Sequence, residues 1–327
     1  MELTAELKRE MFWTMLLSRR LDERAWMLHR QGKIAFHISG IGHEAAQVGA
    51  VFALRRGLDW VVPYYRDLSM LIGLGYTPQD FMLALMGKRD ESTSGARQLP
   101  SHWSLKAMNV VSHSSPVATQ ALHAVGIGLG IKLRKEDRIV LTTTGEGSTS
   151  EGEWYEAVNW AAVHKLPVVF NVQNNQYAIS EPASRQMAVS GAAERACGLG
   201  LRGISVDGMD VFACYAAFHE VIEDVRGGAG PAVIETCVHR ITPHSSDDDD
   251  RSYRSRDEVE QYKKNDGLLR MQSGLIQDGI LTPGELQSLE ARAKAVIDDA
   301  VSFAAQAPFP DGAEAAYPVY AQDSRYA

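Results

Sequence analysis

The sequence predicts an α/β fold, a mostly parallel sheet with helices on both faces, with helical N- and C-terminal extensions. Three observations predict it. From about residue 116 to residue 240, short apolar runs of strand length alternate with runs of helical length. A long helical pattern precedes that block and another follows it. The chain has 327 residues, enough for one large α/β domain or two small ones.

Taken in order, Leu3–Gln31 reads as a helix because Met11, Met15, Leu16, Leu21, Trp26 and Leu28 recur at helical spacing, and Gly32 marks its end. A glycine-punctuated stretch, Phe36–Gly42, leads to a second helix over His43–Arg55. Asp59–Pro63 is a short strand running into Tyr64-Tyr65-Arg66. Pro116–Arg134 is a small-residue helix, Arg138–Thr144 a buried strand and Gly145–Gly152 a glycine-rich turn. Glu153–Lys165 is a helix and Pro167–Val172 the next apolar strand. A strand at Arg202–Val206, a helix at Val211–Arg226 and a strand at Ala232–Val238 continue the alternation. Thr242–Ser255 breaks it with the acidic run Asp247–Asp250, Arg256–Gln306 is helical, and the tail after Ala307 is extended. The expected organisation is an N-terminal helical extension (1–35), an α/β domain (36–240), an active-site loop (241–256) and a C-terminal helical region with its tail (257–327).

Composition excludes several classes. Apolar residues make up 45% and charged residues 23% of the chain, which is ordinary for a globular protein and unlike a disordered or fibrous one. No apolar run approaches the roughly 18 to 20 residues that span a bilayer, so no membrane segment is expected. Met1–Arg20 mixes acids and bases and has no secretory pattern. The net charge is -8, which argues against a general affinity for nucleic acid. Cys197, Cys214 and Cys237 are an odd, widely spaced set that forms neither a disulfide framework nor a zinc site. Cys214 and Cys237 are read as small core residues, and a reducing cytoplasm as the compartment.

The local signal with chemical content is Gly145-Glu146-Gly147, then 26 residues, then Asn174-Asn175. Each half follows its own predicted strand, so both fall at the carboxyl ends of parallel strands, where open α/β sheets bind ligands. Glycines around Glu146 let the backbone turn sharply and approach a ligand. The helix beginning near Glu151 offers free N–H groups. A carboxylate and an amide from adjacent strand ends share one hard cation, and Mg²⁺ is commonly held by few carboxylates plus phosphate oxygens. Taken singly, each half is an ordinary turn. A dinucleotide fingerprint fits poorly, because Val168–Gln176 lacks the acidic residue that it requires. Gly126-x-Gly128-x-Gly130 lies within a helix and reads as close helix packing. Trp154, Tyr155 and Trp160 read as core or interface aromatics.

These motifs resemble the thiamine-diphosphate signature, and the longer stretches 145–153 and 173–180 are similar to the α subunit of the 2-oxo acid dehydrogenase decarboxylating component. The branched-chain (2-oxoisovalerate) type is the nearest. Gly42-His43-Glu44, Tyr64-Tyr65-Arg66-Asp67, Ser115-Pro116-Val117-Ala118-Thr119, Val206–Val211 and His244–Asp248 extend the resemblance over about residues 10–300. It implies the thiamine-diphosphate-binding fold, with Mg²⁺ held by Glu146, Asn175 and the Tyr177 carbonyl. The implied cofactor-binding residues are Tyr64, Tyr65, Arg66, Ser115, Pro116, Val117, Gly145, Glu146, Gly147, Ser148, Asn175, Tyr177, Ile179 and His244. His244 is the implied catalytic residue, and Phe36, Tyr65, Leu99 and Ser115 line the implied substrate pocket. A structural K⁺ near Ser114, Pro116, Thr119 and Gln120 is a further implication. Gln173 stands where some mitochondrial relatives carry a cofactor-facing Arg, which leaves Arg66 and the metal to neutralise more of the diphosphate.

The resemblance further implies oxidative decarboxylation of a branched-chain 2-oxo acid with transfer of the acyl group to a lipoyl group. Activation of the cofactor needs a carboxylate from a separate β subunit, so an α₂β₂ heterotetramer and a lipoyl acyltransferase are the expected partners. The alternatives are a pyruvate or acetoin dehydrogenase α subunit, a self-sufficient thiamine enzyme, and a non-catalytic thiamine-diphosphate-binding protein. The serine matching Ser245 is a phosphorylation switch in mitochondrial relatives. With no presequence visible, a bacterial-type protein that leaves it unused is expected.

Overall fold

The structure, a computed structural model, describes residues 3–316. Helix α1 (Ala5–Arg30) starts at Thr4, whose hydroxyl accepts the Leu7 N–H, and buries Met11, Met15, Leu16, Leu21 and Leu28 along one face. Helix α2 (Glu44–Ala53) is buried along its whole length. Strand β1 (Trp60–Val62) is followed by α3 (Leu68–Gly73), α4 (Pro78–Leu85) and α5 (Thr119–Arg134). Next come β2 (Val140–Gly145), α6 (Gly152–His164), β3 (Val168–Asn174), the short strands β4 (Tyr177–Ala178) and β5 (Glu181–Pro182), and α7 (Ala192–Gly198). Strand β6 (Arg202–Asp207), α8 (Val211–Arg226) and β7 (Ala232–Cys237) complete the sheet. Helices α9 (Arg256–Lys264), α10 (Gly267–Gln277) and α11 (Pro283–Gln306) form the C-terminal part.

The five long-range strands pair in parallel in the order β1-β2-β3-β7-β6. Alternate residues of β1, β2, β3 and β7 enter two different cores, as the period of two requires. Val61, Leu141, Val169 and Ile234 join the core made with α1, α2 and α8. Val62, Val140, Val168, Phe170 and Val233 join the core made with α5, α6 and α7. Helices therefore cover both faces, as the sequence predicts.

Several elements depart from expectation. Helix α5 begins at Thr119, three residues after Pro116, because Ala118 takes φ 71° at the turn and the helix cannot start before it. The close packing in its glycine run is against a strand: a Cβ on Gly128 would lie 2.6 Å from Val168 Cγ2, while Gly126 and Gly130 have open space. Cys214 is buried as expected, but Cys237 is exposed. It is the last residue of β7, and its thiol lies 3.3 Å from the Ser205 hydroxyl of the edge strand β6, on an exposed part of the sheet. Of the three aromatics read as core or interface, Trp154 is core, and Tyr155 and Trp160 are at the surface. Beyond Ala307 the chain makes a 3₁₀ turn at Gly312–Ala316, and the remainder of the expected extended tail lies outside the described residues. Among the described residues, no helix is long and apolar enough to cross a membrane.

Candidate active site

Strands β2 and β3 are neighbours and point the same way, so their carboxyl ends place Gly145 opposite Gln173. The chain leaves β2 in a 3₁₀ turn over Glu146–Ser150, and it leaves β3 at Asn174 directly into Asn175. Both halves of the motif thus border one cavity of about 440 Å³.

Fifteen of the sixteen residues expected from sequence to serve cofactor, substrate or catalysis line that cavity, and Ser114, Thr119 and Gln120 do not. The fifteen are Phe36, Tyr64, Tyr65, Arg66, Leu99, Ser115, Val117, Gly145, Glu146, Gly147, Ser148, Asn175, Tyr177, Ile179 and His244. Pro116 does not line it; its carbonyl accepts the Ser114 hydroxyl at 3.3 Å. Ile38, Pro100, His102, Glu151 and Ala178 line the cavity as well and were not named. Of these, His102 has the most chemistry, since its Nε2 meets the Ser115 hydroxyl and its ring stacks on His113. Nothing in the stretch around His102 repeats at helix or strand spacing, so pattern reading had no purchase there. Glu151 sat in the motif but was read only as a helix start.

Two buried ionisable groups without a partner of opposite charge border this space. Glu146 is buried, and its Oε2 accepts the Asn175 N–H at 3.2 Å. Its Oε1 has no partner among the described residues. Burial pushes its carboxyl up, because an unpaired carboxylate away from water is costly. Asn175 Oδ1 accepts the Tyr177 N–H at 3.3 Å, and the Tyr177 carbonyl accepts from Arg240 at 3.4 Å. One carboxylate, one amide oxygen and one carbonyl are an all-oxygen donor set that suits a hard cation.

The opposite charge is Arg66, only 2% exposed although it lines the cavity. Its guanidinium donates to the Ser39 carbonyl, to the His244 carbonyl and to His244 Nδ1 at 3.3 Å. Among the described residues no carboxylate pairs with it, so the site holds a buried cation that lacks an anion. Because arginine only donates, His244 Nδ1 must accept and Nε2 carries the proton. Burial, with Arg66 and Arg240 adding to it, pushes the His244 imidazole down to about 3, so the ring is neutral. Arg240 was not named from sequence. It is fully buried beneath the loop that follows β7, and burial followed by Arg66 holds it down to about 10.

The loop carrying His244 is tied down by its own charges. Asp248 accepts the His244 N–H at 2.8 Å and the Tyr253 hydroxyl, and Asp250 pairs with Arg254 at 2.6 Å. Asp249 pairs with exposed Arg251 at 2.6 Å. Ser246 and His37 exchange hydrogen bonds of 2.9 and 3.0 Å, which join this loop to the Phe36–Gly42 stretch.

The family model described as dehydrogenase E1 component matches residues 13–312. The chain is 46% identical to the 2-oxoisovalerate dehydrogenase subunit alpha of Bacillus subtilis (strain 168), over 96% of this chain and 95% of that protein. It is 38% identical to the 3-methyl-2-oxobutanoate dehydrogenase subunit alpha of Mycobacterium tuberculosis, over 98% of this chain and 84% of that protein. It is 35% identical to the pyruvate dehydrogenase E1 component subunit alpha of Staphylococcus epidermidis, over 92% of this chain and 77% of that protein.

Proposed function

Since the chain belongs to the dehydrogenase E1 component family and is an alpha subunit of the branched-chain 2-oxo acid dehydrogenase type, a thiamine-diphosphate enzyme that works with a beta subunit, we propose that the cavity at the carboxyl ends of β2 and β3 is its cofactor site. The observation that carries the proposal is the pair of uncompensated charges. Glu146 Oε1 offers a buried acceptor without a donor, and Arg66 offers a buried cation without an anion. Magnesium diphosphate has the complementary charges in the complementary order.

In this reading Glu146, Asn175 and the Tyr177 carbonyl hold Mg²⁺. Arg66, Tyr65 and the backbone of Gly147 and Ser148 hold the diphosphate. The free N–H groups at the start of α6 add to the favourable field for an anion. Bound there, thiamine diphosphate supplies the carbon nucleophile that takes up a 2-oxo acid and stabilises the charge left when CO₂ departs. His244, neutral and protonated at Nε2, donates a hydrogen bond to the substrate side of the site and is the proposed catalytic group. Phe36, Ile38, Leu99, Val117 and Ile179 give the mouth an apolar lining that suits a branched aliphatic side chain. Ser114, Pro116, Thr119 and Gln120 form the proposed K⁺ site. Gln120 Nε2 donates to the Thr143 carbonyl at 3.1 Å, and its buried Oε1 lacks a partner among the described residues.

The proposed assembly is an α₂β₂ heterotetramer that passes its acyl group to a lipoyl acyltransferase. Leu99 and Ile179 are 62% and 56% exposed at the cavity rim, a fit for a rim covered by the beta subunit. A cytoplasmic location suits the free cysteines. The division into segments 1–35, 36–240, 241–256 and 257–327 is likewise proposed. The test is reconstitution with the beta chain and assay against 2-oxoisovalerate, pyruvate and acetoin. The expected result is preferred turnover of 2-oxoisovalerate and an inactive isolated alpha chain. Preferred turnover of pyruvate or acetoin would overturn the substrate assignment.

A further inference from the structure

A one-way chain of hydrogen bonds lies directly behind Arg66. The Ser69 N–H donates to Gln47 Oε1 at 3.1 Å, which fixes that amide's orientation. Gln47 Nε2 must then donate, and it does so to the Arg66 carbonyl and to Gln173 Oε1, each at 3.0 Å. The Gln173 amide is thereby oriented too, and its Nε2 donates to Asp67 Oδ1 at 2.6 Å. Asp67 ends the chain as a pure acceptor: its Oδ2 takes the Tyr64 N–H at 3.0 Å and the Thr143 hydroxyl. No amide in this relay can flip without setting donor against donor.

Gln47, Asp67, Thr143 and Gln173 are at most 1% exposed, and none of them lines the cavity. They come from α2, from the turn before α3, from β2 and from β3. Between them they grip the backbone of Tyr64, Arg66 and Ser69. The Arg66 carbonyl is also packed against Gly40, where a Cβ would lie 2.8 Å away. The residue at 173 is therefore turned away from the cavity and into the support of its cation.

We propose that Gln173, Gln47 and Asp67 are positioning residues for the diphosphate site, with Gln173 acting on cofactor affinity through the placement of Arg66 and not by contact with the cofactor. The proposal rests on the reading that Arg66 binds the diphosphate. A hydrogen bond removed from this relay leaves one buried polar group without its partner, and the backbone that it held relaxes.

The test uses the reconstituted enzyme with its beta chain. The variants are Gln173→Met, Thr143→Val, Thr143→Ser and Asp67→Asn, with Arg66→Gln as the control for the underlying reading. Measured are the thiamine-diphosphate KM in Mg²⁺, kcat at saturating cofactor, and Tm without cofactor. Gln173→Met and Thr143→Val should raise the cofactor KM about tenfold, with kcat within about twofold, as expected for one buried hydrogen bond. Thr143→Ser keeps the hydroxyl and should restore the wild-type KM. Asp67→Asn sets a donor against donors and should act in the same direction; if it fails to assemble, the Gln173 and Thr143 variants decide. A lowered Tm with an unchanged cofactor KM in Gln173→Met and Thr143→Val would overturn the proposal in favour of a purely structural role. An unchanged KM in Arg66→Gln would instead overturn the diphosphate reading itself. A raised KM in Arg66→Gln alone would leave that reading standing and overturn the relay.

Discussion

A Cβ placed on Gly147 would lie 2.4 Å from the Cβ of Ala178. The turn after β2 and the chain leaving β3 therefore touch backbone to side chain, and the two motif halves are packed as one unit. Both residues line the cavity.

Gly147→Ala should push these segments apart. Such close contact cannot be absorbed without backbone movement, and overpacking of this kind typically costs 1 to 3 kcal/mol. The expected outcome is Mg²⁺-dependent cofactor affinity weakened about tenfold or more, with partial recovery in the Gly147→Ala/Ala178→Gly double variant. Calorimetric titration checks it. Independent, additive effects of the two changes would show that the contact does not couple the halves.

Removing the metal ligands should separate binding from folding. Glu146→Gln deletes a buried charge that folding must desolvate, so the cofactor-free Tm should hold or rise. Thiamine diphosphate with Mg²⁺ should no longer shift that Tm, whereas it raises the wild-type value by mass action. Asn175→Ala should lose the same shift. A ligand-induced Tm increase of wild-type size in both variants would remove the metal assignment.

The loop over 242–255 offers a different readout. Its contacts are mostly ion pairs and single hydrogen bonds, it buries few apolar groups, and the exposed Asp249–Arg251 pair is worth only about 0 to 1 kcal/mol. Trypsin should cut at exposed Arg251 quickly without cofactor and slowly with Mg²⁺ and thiamine diphosphate. Arg254, whose side chain is buried against the carbonyls of Arg240 and Thr242, should resist in both states. Equal rates at Arg251 in the two states would refute coupled ordering. Ser245 is 8% exposed, so Ser245→Glu buries a charge beside Asp248 and should abolish the protection along with lipoyl-dependent activity.

The burial of His113 sets the sign of one pH dependence. Burial pushes its imidazole down to about 4 from an ordinary value of 6.5. The unfolded chain takes up a proton at 6.5 and the folded chain does so only near 4. The contribution to stability is therefore complete above pH 6.5 and falls away as pH drops to about 4, by about 3 kcal/mol at most. Tm of the wild type should fall more steeply between pH 6.5 and 4 than that of His113→Gln. Parallel curves would show that folding leaves the proton affinity of His113 unchanged.

Much of this was readable from residues because strands and their ends carry strong local signals. Ile139, Val140 and Leu141 mark β2, Gly145 marks where it turns, and the Asn pair marks the end of β3. What was not readable depended on distant partners. Position 173 gave no hint that its side chain turns inward, since Gln47 and Asp67 lie more than 100 residues away in sequence. His102 carries no local pattern, and only the fold brings it to Ser115. Helix α5 starts late because of a left-handed Ala118, a conformation that alanine does not advertise. Cys237 looks like core because its neighbours are core, but its thiol lies beside Ser205 of the edge strand β6 and stays exposed.

The pairing of Gly145 with Gln173 turns the interval between the motif halves into a ruler. That interval is filled by the 3₁₀ turn, helix α6 and one parallel strand, and each meters length differently. A residue gained within α6 rotates all that follows by about 100° and swings its apolar stripe off the sheet. A residue gained within β3 exchanges its two faces and sends Gln173 toward the wrong core. The turn before Gly152 carries Ser148 and Glu151 into the cavity wall and has no slack either, which leaves the connection at Lys165–Pro167 to take up a change of length. Drift along this stretch is thus confined to substitution almost everywhere, and any lengthening that survives should be found at that joint.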